Sequence, residues 1–418
     1  MRRRRRELHL RVAEAAEALY GASDETIDLL ARHLYLGGAG PKAVDYLVRA
    51  GRRAKLLYAN EEAILDFERA AELAPEDPEI LIELADLREL IGDYEQALAL
   101  YTKVRDATAD IDPWRGLAAT LRKQGRYDDA LGVIEQAFKT DALQGADLRP
   151  LWLERAWTLT VAGRADAAAD AAHVGLESSR AQDAMRGHLL LRLATAEIVA
   201  GRFESAIRHG LEAKALFETG GSELRGLATT LRVVGDAHRE LGRLDEAAAT
   251  LREGLAVAER IGNVEDIGGC LINLAIVERW RGAYDDAAMI ALRAIDEFER
   301  IGHASGRVTI YVNMAEIQMM REDYEEARRF AAKALDLARE IGHSLAIAAT
   351  LETMTEIDLR TGDFAAAAAR AEEAAAKSLE IGAVARAAHC MELAAEAWSK
   401  LGDEERAEAS AARARSLA

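Results

Sequence analysis

A chain of 418 residues has room for several globular domains, but no linker rich in Pro, Gly or Ser divides it. Hydrophobic residues make up 50% and there are only 5 prolines, a composition suited to helices, while no run of about 18 apolar residues offers a membrane span. The net charge of −18 argues against a protein that coats nucleic acid, because such binding neutralises phosphates with Lys and Arg.

The chain opens on a basic run, Arg2 to Arg6, read as a solvated helix start. The residues after it, ELHLRVAEAAEALYG, carry charge every few positions, so they do not make the apolar core of a signal peptide. Residues 7–21 and 24–36 are predicted as a helical pair outside any repeat, and residues 1–43 form the first segment. GGAGPKA at 37–43 looks like a phosphate loop, but no Ser or Thr follows Lys42 and a helix rather than a strand precedes it. It is predicted as an interhelical turn with Pro41 at the first helical position.

From Val44 onward a repeat is legible. Ala63, Ala97, Ala130, Ala168, Ala206, Ala247, Ala287, Ala327, Ala367 and Ala407 mark ten units, spaced by 34, 33, 38, 38 and 41 residues and then by 40 four times. Ile-Gly pairs at 261/262, 301/302, 341/342 and 381/382 keep the period of 40, as do the turn positions Gly242, Gly282, Glu322, Gly362 and Gly402. Within one unit, Cys270, Leu271, Leu274, Ala275 and Val277 suit the apolar face of one helix, and Ala287, Ile290, Ala291, Ala294 and Ile295 that of a second. Gly282 turns the chain between them, Asp285 and Asp286 favour the second helix's N-terminus, and Gly302 stops it. Small residues are required where helix axes approach to about 8–10 Å. One hairpin leaves apolar surface uncovered on both sides, so neighbours must stack, and the predicted fold is an all-α solenoid.

The residues that recur are those of a known family. Leu47, Ala50, Gly51, Ala54, Ala63, Phe67, Ala70 and Pro75 resemble the tetratricopeptide pattern, as do Leu81, Leu84, Ala85, Gly92, Tyr94, Ala97 and Tyr101, and then Trp114, Leu117, Ala118, Leu121, Gly125, Tyr127, Ala130 and Ala137. Residues 44–144 resemble units of the 34-residue type. Residues 145–418 resemble the longer variant of kinesin light chains and bacterial regulators, with a polar C-terminal unit as cap. The resemblance implies a right-handed superhelix with a concave face lined by the first helix of each unit. Departures fall at Arg155, Gly175, Gly254, Thr355 and Glu322. RRELHLRVAEAAEAL, LLARHLYLGG and the stretch 42–73 also resemble the segment that joins an ATPase module to the repeat tail in bacterial cyclase-linked and STAND-type signalling proteins. That second resemblance implies a sensor or scaffold part of a larger ATPase, cyclase or transcription regulator.

No chemistry-bearing motif appears. None of the nine histidines lies in a metal-ligand spacing, there is no Walker-type loop, and no nucleophile stands beside a base. The expectation is therefore a non-enzymatic chain without cofactor or metal. Cys270 and Cys390 occupy one repeat position three units apart, too far for a disulfide, and are read as reduced thiols of a cytoplasmic protein. The expected partner is a protein or peptide held on the first-helix face by Asn273, Asn313, Arg192, Arg232, Arg239 and Arg279, beside Arg115, Arg122 and Glu316. A primary amide both donates and accepts, which suits a peptide backbone. Only two consecutive units have the Asn, since Val233 and Thr353 hold the matching places. The arginines suit carboxylates of a ligand, or else they neutralise Asp236, Glu316, Glu352 and Glu356. Trp280, Met319 and Met320 are read as rim or core packing.

Overall fold

The computed structural model describes residues 2–21, 23, 25–57, 59–178, 183–220 and 223–417. Contacts divide the chain into two compact units, Met1–Ala200 and Gly201–Ala418. The described residues form 22 α-helices and one 3-10 turn at Asp141–Leu143, with no strand among them.

The first unit contains α1 (Arg2–Tyr20), α2 (Ile27–Gly37), α3 (Pro41–Leu56), α4 (Asn60–Leu73), α5 (Pro78–Leu90) and α6 (Tyr94–Ala107). It continues with α7 (Asp112–Lys123), α8 (Tyr127–Lys139), α9 (Arg149–Val161), α10 (Ala165–Glu177) and α11 (Ala184–Val199). The second unit contains α12 (Phe203–Gly220), α13 (Leu224–Glu240), α14 (Leu244–Ile261), α15 (Val264–Trp280), α16 (Tyr284–Arg300) and α17 (Ala304–Met320). It ends with α18 (Tyr324–Glu340), α19 (Ser344–Thr361), α20 (Phe364–Glu380), α21 (Val384–Leu401) and α22 (Glu404–Leu417). Pro41 opens α3 as its first residue, so the glycine-rich stretch before it is a turn.

Each anchor alanine lies on the second helix of a hairpin. Nine of the ten are fully buried and Ala407, in the terminal hairpin, is 8% exposed. A methyl side chain is what lets that helix lie close against the first helix of its own hairpin and that of the next, burying Leu271, Ala275, Ala291 and Phe298 in one continuous core. Gly268 shows how close the approach is: a Cβ there would stand 2.3 Å from Cζ of Phe298. The turns between hairpin helices place a residue in the left-handed region, Gly282 at φ 78° and Gly362 at φ 81°. Glu322 holds the same position at φ 62°, so the departure noted in the sequence changes the residue and not the turn.

The other departures are absorbed locally. Thr355 is fully buried and its hydroxyl donates to the Leu351 carbonyl at 2.8 Å. Arg155 pairs with Glu135 and lies over the Trp152 ring. His303 and His343, each directly after an Ile-Gly stop and by that place in the repeat read as turn residues, cap helices: each Nδ1 accepts a backbone N–H, from Gly306 at 2.9 Å and from Ala346 at 3.2 Å. The most buried charged side chain of the second unit among the described residues is Asp358, 2% exposed, which carries Arg328 of α18 at 3.1 Å and Arg370 of α20. No helix among the described residues is long and apolar enough to cross a membrane.

Candidate functional site

In the second unit the first helices of successive hairpins pack side by side: α13 on α15, α15 on α17, α17 on α19 and α19 on α21. Residues three or four apart share one face of a helix, so positions 232, 236 and 239 of α13 form a stripe that recurs every 40 residues on the next four helices. Most members of this stripe are half-buried, neither in the core nor free in solvent. In the first column they are Arg232, Ile272, Val312, Glu352 and Glu392; in the second, Asp236, Ile276, Glu316, Glu356 and Glu396.

Five of the six expected site residues lie on this face or beside it. Arg232 is half-buried, and among the described residues it has no acidic oxygen within ion-pair distance. Arg239 is bound to Asp236 at 2.5 Å and Glu240 at 2.7 Å, and its guanidinium stacks 4.8 Å from the Trp280 ring. Trp280 is 46% exposed and so stands at the rim rather than in the core. Arg279 pairs with Glu316 at 2.9 Å while its Nε is buried without a hydrogen-bond partner. Asn273 is half-buried and its amide makes no hydrogen bond to another described residue. Asn313 differs: it is 8% exposed and its Nδ2 donates to the Thr309 carbonyl at 3.0 Å. The two amides share a repeat position but not a state, since the α17 amide donates to its own helix.

Arg192 belongs to the first unit. Its guanidinium lies 4.4 Å from the Trp157 ring, and that of Arg122 lies 5.7 Å from the same ring. Arg122 also binds Glu154 at 2.7 Å. Trp157, which the sequence reading passed over, is therefore a half-buried aromatic plate beneath two cations.

Of the acidic end of the second unit's face, the sequence reading named Glu316, Glu352 and Glu356 but not Glu392, Glu396 or His389. Glu352, Glu356 and His389 bring one ligand atom each within 4.8 Å of one another. Arg386 already pairs with Glu352, and His389 lies 3.6 Å from both Glu352 and Glu392. A dication there would compete with a guanidinium for its best carboxylate, which makes the cluster a poor metal site by its own chemistry. Burial and the neighbouring Glu352 charge push the Glu356 carboxyl above the usual range; burial raises Glu316 in the same way, with Arg279 opposing it. The thiols of Cys270 and Cys390 are buried and pushed up to about 12 by desolvation, which leaves them protonated and unreactive. The signal that finds these carboxylates is the constant period: stepping by 40 from Arg232 and Asp236 reaches Glu316, Glu352, Glu356, Glu392 and Glu396, though not His389.

Comparison with known proteins follows the same lines. One family model described as tetratricopeptide repeat matches residues 186–260 and 306–380, and a second of the same description matches residues 114–143. A Rap protein solved in complex with competence and sporulation factor is similar in fold at a TM-score of 0.56 and 14% identity, with 81% of this chain and 97% of that one covered. Aspartyl phosphate phosphatase F from Bacillus subtilis aligns at 0.52 and 13% identity over 82% of this chain and 94% of that one. A signal transduction ATPase with numerous domains and a tetratricopeptide-repeat sensor, from Pyrococcus horikoshii, aligns at 0.51 and 14% identity over 95% of this chain and 53% of that one. No curated protein sequence matches the chain. The matched segments are tetratricopeptide repeats, and the structural likeness, at these identities, is one of fold.

Proposed function

We propose that this tetratricopeptide-repeat chain is a non-enzymatic interaction scaffold that holds a peptide segment or protein partner on the first-helix face of residues 201–418. The observation that carries the reading is a stripe of side chains across five adjacent helices, mostly half-buried on the first four and exposed on α21, on or beside which Arg232 and Asn273 have no partner among the described residues. Asn273 and Arg232, half-buried and without a hydrogen-bond or ion-pair partner among the described residues, and Arg279, whose Nε is buried without one, are suited to receive partners from another molecule. Arg239 and Arg279 flank it as forked donors, Asn313 contributes its remaining carbonyl oxygen, and Arg192 with Trp157 offers a comparable surface on the first unit. The role needs no metal, cofactor, membrane or nucleic acid, and we place it in the cytoplasm.

A second reading, in which the chain is the regulatory sensor tail of a larger ATPase, cyclase or transcription regulator, is favoured by its fold likeness to the repeat sensor of the Pyrococcus horikoshii protein, of which it spans about half. The two readings share the face and differ in whether the partner is separate or joined in the same chain. Co-purification from the native cell with mass identification of what is bound tests the first. A defined partner is expected with the wild-type chain and not with Asn273→Ala/Arg232→Ala at equal helicity; equal recovery with that variant would remove the face from the function.

A further inference from the structure

The face is not uniform along the repeats. At its α13 and α15 end stand Arg232, Arg239 and Arg279; in the middle are Ile272, Ile276 and Val312; toward α21 the same columns become Glu316, Glu352, Glu356, Glu392 and Glu396. Intramolecular pairs cancel part of each end, since Arg239 is held by Asp236 and Glu240, Arg279 by Glu316, and Glu352 by Arg386. On the two columns, what is left without an ion-pair partner among the described residues is opposite in sign: Arg232 at one end, Glu356 and Glu396 at the other, with Arg360 and His389 beside Glu356 offsetting part of its charge. Gly269 of α15 lets the Arg232 side chain lie close against that helix, since a Cβ there would stand 3.2 Å from Arg232 Cδ.

Resting on the interaction reading above, we propose that this face takes one extended segment whose acidic end meets Arg232, whose apolar middle covers Ile272, Ile276 and Val312, and whose basic end meets Glu356. Complementary charge at two separated points fixes register and rejects segments of a single sign, which apolar contact alone does not do. Helix axes about 8–10 Å apart put α19 roughly 25–30 Å from α13, and an extended chain rising about 3.3 Å per residue crosses that span in about eight or nine residues. Burial and then the Glu352 charge push the Glu356 carboxyl up, and a cation arriving there opposes the Glu352 repulsion.

The test uses the full chain and fluorescein-labelled 11-residue peptides with a Leu-Leu centre: two Glu at one end and two Lys at the other, Glu at both ends, Lys at both ends, or Gln at both ends. Anisotropy is expected to show the Glu/Lys peptide binding about tenfold more tightly than the other three, with the advantage shrinking as salt is raised. Arg232→Glu should move the preference to the Lys/Lys peptide, and Glu356→Lys should move it to the Glu/Glu peptide, at unchanged circular dichroism. Equal affinities, a wild-type preference for either single-sign peptide, or no binding of any peptide overturns the charge order. A single-sign preference leaves the interaction reading standing, and that reading falls only if the native partner is also retained by the Asn273→Ala/Arg232→Ala variant.

Discussion

The two compact units bury the same anchor alanine fully, the terminal Ala407 excepted, but fill the space around it differently. In residues 1–200 the anchors are 34, 33 and 38 residues apart, and large side chains with individual polar partners close the gaps. Tyr101 is 2% exposed and donates to Asp86 at 2.5 Å, and Arg88 binds both Glu68 and Asp93. In residues 201–418 the spacing settles at 40, and Ala287, Ala291 and Ala294, like Ala327, Ala331 and Ala334, repeat one crossing almost unchanged. A fixed period brings each side chain to the same neighbour in every unit, so whole columns acquire a common exposure. A variable period makes each junction a separate packing problem. Trp157 illustrates this: its equivalents at the same distance from the anchor are Ala119 and Thr195, so its place under Arg122 and Arg192 belongs to one junction alone.

The contrast can be broken in five places. Asp358→Ala strips two guanidiniums of their buried carboxylate and should cost about 3 kcal/mol, since an uncompensated charge is left behind. Hydrogen exchange on the full chain should show the loss within 201–418, and undiminished protection there would refute the role given to this carboxylate. Ala287→Leu should overpack a regular crossing and cost about 1–3 kcal/mol, and Ala130→Leu should do the same in the other unit. If either variant melts at the wild-type temperature, the anchor is not the point of closest approach.

Asp66 gives the first unit a pH dependence of its own. Burial, with Asp28 and Glu62 nearby and Arg69 opposing, pushes its carboxyl up to about 6. The folded state therefore holds this proton more tightly than the unfolded one, so stability is highest below about pH 4 for this group and falls as pH rises through 6. Asp66→Asn should flatten that slope in urea titrations and add roughly 1–2 kcal/mol at pH 7; an unchanged slope between pH 4 and 6 would assign it to other groups. The smallest effect is expected from Glu322→Gly, a gain of about 0.5–1 kcal/mol from relieving a left-handed backbone that the neighbouring units fill with glycine. Calorimetry that finds this variant less stable would show that the Glu322 side chain compensates its own strain.

Much of this was legible before any coordinates. The anchors, the Ile-Gly stops and the acidic helix starts are local signals, each acting within one or two helical turns, and they fixed the hairpins and their stacking. The candidate face was legible only in part. Asn273 and Asn313 read alike because they occupy one repeat position, yet only in the structure does the second turn its amide onto Thr309. His303 and His343 read as turn residues, and their capping bonds depend on the ring's orientation at the helix start.

The sequence by itself determined that this chain is a stack of paired helices, where each pair begins and ends, and which small residues sit at the crossings, because those features follow from helical periodicity and turn chemistry along the chain. Tertiary structure alone decided which charges cancel. Arg279 finds Glu316 and Arg386 finds Glu352 across neighbouring helices, while Arg232 and Glu356 find no ion-pair partner among the described residues. Those pairings depend on the rotation and offset of one helix against the next to within the few ångströms over which an ion pair forms, and no residue spacing along a single chain encodes that distance.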